Sequence, residues 1–306
     1  MLLNKLDSYY SSFRRKDSKY ESLLRFSLRK LSNLILPFYL DKSKKDVLLP
    51  AKNGQNIIVS ITTFPERISK IWIVIECMLR QTLLPNKIIL WLSKEQFPNE
   101  MNDIPKKLLK YYHNNQIEIN FVDDDLRSHK KYYYAFQEYP DDLIITIDDD
   151  IFYPSNIIED LISLHNEFPD TICCHRAHKV LREEDGKISK YAKWQKVFGI
   201  SGPTFDLFHT SGGGTLYKAS FFNKEVLNKK TIKEQCFMAD DVWLNVMAQI
   251  NKTKTVKSNY FSNLIPIENK KSFFKLSEQN VQHGGNDVQL YNLIKNYNLN
   301  NYEVFK

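Results

Sequence analysis

Three consecutive aspartates, Asp148-Asp149-Asp150, stand directly behind the apolar run Leu143-Ile144-Ile145-Thr146-Ile147. Such a run predicts a buried strand, and in an open parallel sheet ligands bind beyond the carboxyl ends of the strands. Side chains alternate along an extended segment, so Asp148 and Asp150 are expected on one side. Two carboxylates aimed at one point repel unless a proton or a cation lies between them. Hard divalent ions, Mn2+ or Mg2+, match oxygen donors of this kind and keep positions open for water and substrate phosphates. A solvated acidic turn is the plain alternative. The quality of the strand, and the helix start at Tyr153-Pro154-Ser155, favour the metal.

A second acidic pair, Asp240-Asp241, opens a predicted helix over residues 240–250. A helix start favours negative charge, so capping is one account of the pair. The chemical account is that one carboxylate takes the proton of an attacking hydroxyl. Gly212-Gly213-Gly214 allows close backbone approach and positive φ but has neither phosphate-loop pattern. Gly213 and Gly214 read as a wall of the substrate site, or else as a β-bulge. Arg67, Arg127, Lys130 and Lys131 fall near strand ends or helix starts where a diphosphate could sit, and Arg67 and Lys131 are favoured. His175, Arg176 and His178 follow a strand and could face an acceptor. His283 could add a ligand, although a loop histidine with no such role accounts for it more simply.

These residues need a frame. Ile57-Ile58-Val59-Ser60-Ile61 predicts a first buried strand, ending in the loop Thr62-Thr63-Phe64-Pro65. A helix over residues 67–81, a strand over 88–92, a helix over 105–113, a strand over 117–122, a helix over 130–138 and the strand over 143–147 follow. That alternation predicts right-handed βαβ units and a mostly parallel sheet flanked by helices. A helix over 155–167 and a strand over 171–176 come next, then a long loop carrying Trp194, Gly199 and Gly202 up to the glycine cluster.

Of the net charge of +7, residues 1–50 hold most: 11 Lys/Arg against 5 Asp/Glu, while the remainder has 32 against 31. A nucleic-acid binder would spread its basic charge over the folded body, so no nucleic-acid partner is expected. Residues 20–40 repeat Leu at helical spacing with Arg25, Arg29 and Lys30 between, ended by Pro37 and the charged run after it. This basic helical appendage, residues 1–50, either lies on an anionic bilayer through residues 20–45 or packs on the catalytic domain, residues 51–306. Its apolar run from Leu34 to Leu40 is too short to span a membrane. Cys77, Cys173, Cys174 and Cys236 follow neither a disulfide nor a zinc pattern, and a reducing cytoplasm, at most the inner face of the plasma membrane, is the expected place.

The order of these motifs resembles the GT-A-fold glycosyltransferases, in particular the glycosyltransferase family 2-like set. Asp148-Asp149-Asp150 is similar to the family's DxD motif, and residues 58–63 resemble its first strand and nucleotide-binding loop. The stretch from Gln81 to Leu90 and Ser211-Gly212-Gly213-Gly214-Thr215 match further segments. Ala239-Asp240-Asp241-Val242 resembles the acidic motif that carries the base. The resemblance implies a GT-A (Rossmann-like) fold and a UDP-sugar donor contacted by Thr62, Thr63, Phe64, Arg67, Lys131, Asp148 and Asp149. It implies metal at Asp148 and Asp150, and inverting transfer to a glycan or lipid-linked glycan with Asp241, or else Asp240, as base. A retaining enzyme on the same donor half, and a nucleotidyltransferase acting on sugar phosphates, are the alternatives. One departure stands out: Trp91-Leu92-Ser93 closes the second strand where the family has an aspartate, and Asp123-Asp124-Asp125 follows the third strand instead.

Overall fold

The computed structural model describes residues 2–13, 18–43, 47–51, 54–259, 264–269, 280 and 284–306; His283 lies outside them. Helices α1 (Leu2–Ser12) and α2 (Lys19–Lys42) precede the sheet. Strands β1 (Ile57–Thr62), β2 (Lys87–Ser93), β3 (Glu118–Val122) and β4 (Leu143–Ile147) are joined by α3 (Ile71–Met78), α4 (Lys106–His113) and α5 (Lys130–Glu138). They pair in parallel in the order β3-β2-β1-β4, as the βαβ alternation predicts.

Beyond Asp150 the chain adds β5 (Ile151–Phe152), α6 (Ile157–Glu167), β6 (Ile172–Cys174), β7 (Ala177–Lys179), β8 (Gln195–Lys196), β9 (Ser201–Thr204), β10 (Leu207–His209), β11 (Gly213–Tyr217), α7 (Lys229–Gln235), α8 (Asp240–Ile250), β12 (Thr255–Lys257), β13 (Ile265–Pro266) and α9 (Gly285–Asn296). The main sheet continues from β4 as β11-β6-β12-β9, and β11 runs antiparallel to β4. The stretch expected as a long loop therefore holds β7 to β10. Three of these short strands are only two or three residues long and form a second sheet, β10-β7-β8. They carry His, Lys and Gln where a buried strand would show an apolar run, so no period marks them.

Strand alternation sorts the core into two faces. Val59, Ile61, Leu90 and Ile145 pack with α3 and α6; Ile58, Trp91 and Ile144 pack with α5 and α8. Leu3, Tyr10, Leu36 and Leu40 of α1 and α2 join the first of these cores, so the N-terminal segment is continuous in packing with the sheet domain.

Pro37 does not end α2, which runs on to Lys42. A proline inside a helix forfeits one backbone hydrogen bond. Here the turn beyond it is held from outside: Leu36 and Leu40 are fully buried, and the Arg80 guanidinium donates to the carbonyls of Leu40 (3.1 Å) and Ser43 (2.9 Å). Arg80 is fixed in turn by Glu76 at 2.7 Å, whose other oxygen accepts from the Tyr111 hydroxyl at 2.6 Å. Both charged side chains are almost fully buried. Removing one partner of such a pair strands the other. Glu76→Ala is expected to cost about 3–5 kcal/mol of unfolding free energy in a urea titration, and an unchanged midpoint would show that the pair does not anchor α2.

Candidate active site

The triplet sits where the sheet changes direction. β4 ends at Ile147, paired with Gly213 of the incoming β11, and Asp148, Asp149 and Asp150 form a turn before β5. Strand alternation stops there, so Asp148 and Asp150 are paired with different cations instead of sharing one side strictly. Lys131 Nζ donates to Asp148 Oδ1 at 2.8 Å; Arg67 Nη1 lies 2.8 Å from Asp149 Oδ1 and 2.7 Å from Asp150 Oδ2. Arg67 reaches them because residues 65–70 form turns and α3 starts only at Ile71, later than the sequence predicts. The Asp148 amide donates to the Tyr153 hydroxyl (2.7 Å), which in turn donates to the Gly212 carbonyl (2.5 Å). The Asp150 carbonyl accepts from Ile267 N at 2.6 Å, next to the pairing of β13 with β5.

Lys131 also reaches the second acidic pair: its Nζ is 3.1 Å from Asp240 Oδ2, with 4 % of its side chain exposed. Asp240 accepts from Ser211 Oγ (2.7 Å), and Asp241 Oδ1 accepts from Ser211 N (2.7 Å). Ala239 occupies the cap position of α8, so neither aspartate caps the helix. Five carboxylates thus surround two cations, Lys131 and Arg67.

The proton affinities follow from that imbalance. Burial, with Asp149 and Asp148 adding to it against the pull of Arg67, pushes Asp150 up to about 7. Burial and then the charge of Asp240 push Asp241 up to about 7. Burial raises Asp149 against Arg67 and Thr63. For Asp240 burial is outweighed by Lys131 and His129, which hold it well below the usual carboxylate range. Lys131 is held well above the usual range because Asp148, Asp240 and Asp241 overcome its burial.

The remaining expected residues fall as follows. Thr63 Oγ1 donates to Asp149 Oδ2 at 2.5 Å, so Asp149 is bracketed from β1. Thr62 is turned aside to the Trp91 carbonyl at 2.9 Å, and the Phe64 ring lies 5.1 Å beneath the Arg67 guanidinium. Gly212 approaches the triplet most closely: a Cβ there would fall 1.7 Å from Asp148 Oδ2. Gly213 faces Arg176, and Gly214, at φ +93°, faces His175. His175 is bonded to Asp160 at 2.7 Å. Lys130 is buried against Asp125, and Arg127 is 3.3 Å from the same residue, so both side chains hold the loop after β3 and not the triplet. Asp123 and Asp124 are spent on Lys94 and Lys229. Ser211 and Gly212 lie in the glycine segment the sequence marks, although only Gly213 and Gly214 are assigned to the site there; Tyr153, read in the sequence only as part of a helix start, is the contributor with no spacing that signals it.

The family model of the glycosyl transferase family 64 domain matches residues 57–290, a span that includes both acidic clusters and both cations. This chain belongs to glycosyl transferase family 64. It is a GT-A-fold glycosyltransferase, of family 64 where the sequence resemblance pointed to the family 2-like set. Among solved structures, S. aureus TarS 1-349 in complex with UDP-GlcNAc is similar at 12% identity over 73% of this chain and 61% of that one, with a TM-score of 0.45. A 4-diphosphocytidyl-2C-methyl-D-erythritol synthase is similar at 12% identity over 69% of this chain and 93% of that one, with a TM-score of 0.41. This chain covers less than two-thirds of the TarS fragment, and likenesses this distant carry no argument about chemistry. A comparison with curated proteins finds no match.

In this family 64 domain, Gly212→Ala would push the Asp148 carboxylate off Lys131. The charge stranded by that displacement is expected to lower the unfolding free energy by about 1–3 kcal/mol in a urea titration, and an unchanged midpoint would contradict the contact. A second expectation concerns pH. Folding raises the affinity of Asp150 for its proton, so its contribution to stability is full in acid and is lost as pH rises through about 7. Asp150→Asn removes that loss, which accumulates between the free carboxylate value of 3.8 and about 7: the ligand-free protein should melt a few degrees higher than native at about pH 8 and show little gain at about pH 4. Equal shifts at both would contradict the assignment.

Proposed function

We propose that this enzyme moves a sugar from a nucleoside diphosphate sugar, a UDP-sugar, to a hydroxyl of a glycan or lipid-linked glycan, with Mn2+ or Mg2+ held at Asp148 and Asp150. The observation that carries this is the surplus of carboxylates over cations at the carboxyl end of β4, at the point where the sheet reverses. Among the described residues no three His, Cys, Asp or Glu side chains are grouped to hold a metal. Asp148 and Asp150, released from Lys131 and Arg67, would supply two oxygen donors to an ion, and a diphosphate has the oxygen donors to fill the remainder. A bound ion would supply charge stabilisation for the departing diphosphate.

The side chains of this chain take distinct parts. Tyr153 and Thr63 hold Asp148 and Asp149 in place; Arg67 and Lys131 are the cations available to a diphosphate. Asp240 stays ionised between Lys131 and Ser211 and acts as a positioning residue. Asp241, like Asp150 at about 7, can exchange a proton near neutrality; Asp150 is given to the metal, and Asp241 is the one assigned to the acceptor hydroxyl. Uridine is the base that the motif resemblance favours.

Calorimetric titration of UDP, GDP and CMP with and without Mn2+ tests the donor half. UDP is expected to bind only with Mn2+, and Asp150→Ala to abolish that binding; no metal-dependent binding of any nucleotide would overturn the proposal. With a turnover assay in hand, Asp241→Asn should lower kcat by about 10²–10⁴-fold and leave UDP binding intact. Inverting displacement makes one further demand, a product of opposite anomeric configuration by proton NMR. A product that keeps the donor's configuration removes Asp241 from the role of base, and release of pyrophosphate would make the enzyme a nucleotidyltransferase.

A further inference from the structure

Helix α2 buries one side and exposes a second apolar side. Ser32, Leu36 and Leu40 are buried against the domain. Away from them Tyr20, Leu23, Leu31, Leu34 and Phe38 are exposed by 70%, 62%, 44%, 75% and 65%. At helical pitch these five positions fall within about 80° of arc, a stripe interrupted by the exposed Ser27 and closed at its C-terminal end by Asp41, which pairs with Lys107 at 2.8 Å. Lys19 and Lys42 are exposed at its two ends, and the Lys42 ammonium lies 5.4 Å from the Phe38 ring centroid. A lysine so placed covers an apolar side chain with its stem and presents its charge outward. The segment that holds the stripe also holds the charge surplus, 11 Lys/Arg against 5 Asp/Glu in residues 1–50. Among the described residues no helix is long and apolar enough to cross a membrane, so the stripe is not one wall of a span.

We propose that α2 lies flat on an anionic lipid surface, with Leu23, Leu31, Leu34 and Phe38 in the acyl boundary and Lys19 and Lys42 at the headgroup phosphates. Charge selects this occupant. A second copy of the chain would bring two basic segments face to face, whereas an acidic bilayer satisfies both the stripe and its flanks. The opposite side of α2 is tied to the active site. Asn33 donates to the Pro266 carbonyl (2.9 Å) and accepts from Glu268 N (2.7 Å), and Arg29 and Lys30 pair with Glu268 at 3.0 and 2.7 Å. Ile267, between them, holds the Asp150 carbonyl. Docking through α2 therefore fixes the orientation of the triplet relative to the lipid surface, the geometry that an acceptor carried on that surface requires.

Co-sedimentation of the full chain with vesicles of phosphatidylcholine, alone or mixed with phosphatidylglycerol, tests this without donor or metal, so its outcome is separate from that of the proposed reaction. The native chain should partition to the anionic vesicles and be released by raised salt. Leu34→Ser with Phe38→Ser should lower the partition coefficient roughly tenfold or more at an unchanged melting temperature, and a Trp in place of Leu34 should shift its emission to the blue on those vesicles. Failure of the native chain to bind, or binding by the double variant equal to native, overturns the proposal. So does a dimer in light scattering that the double variant turns into a monomer, because the stripe then belongs to a second copy.

Discussion

The arrangement of this molecule turns on one buried lysine. Lys131 belongs to α5, yet its ammonium touches Asp148 at the end of β4 and Asp240 at the start of α8. A charge so deeply buried is tolerable only among opposite charges, and that requirement joins two acidic clusters separated by about ninety residues of chain. One lysine cannot neutralise both. Arg67 takes part of the remaining charge, and burial, with the repulsion of the neighbouring carboxylates added to it, raises Asp150 and Asp241 toward neutrality. Negative charge in excess, beside backbone that only glycine allows, is the property on which the assigned chemistry rests.

Much of this frame is legible in the residues. The bounds expected for α5, β4 and α8 are those observed, because each has a full period of its own and a sharp break at either end. The pairing of β11 with β4 is not legible, since antiparallel insertion between parallel strands leaves no local trace. Asp123-Asp124-Asp125 makes the point from the other direction. It looks like Asp148-Asp149-Asp150 in composition, yet it follows β3, the edge of the sheet, where the side chains are half exposed and surface lysines absorb the charge. A central strand buried at every residue is what turns an acidic run into a site.

The glycines show the same division. Their number and order suggested close approach, but only the fold tells which neighbour approaches. Gly212 admits Asp148, Gly213 admits Arg176, and Gly214 takes a left-handed turn against His175. Three consecutive glycines therefore answer three different packing demands.

The bonds at the two ends of the triplet bear on how the chain folds. Asp148 is held by Tyr153, close in sequence, but the Asp150 carbonyl waits for Ile267, which arrives more than a hundred residues later. Contacts of such long separation form late, after the ordering entropy of the intervening chain has been overcome. The parallel strands β1 to β4 can assemble on local βαβ closures alone. A chain caught at that stage would have most of its sheet and no finished triplet, so the ability to take a donor should be the last property acquired during folding and the first lost when the segment around Ile267 opens.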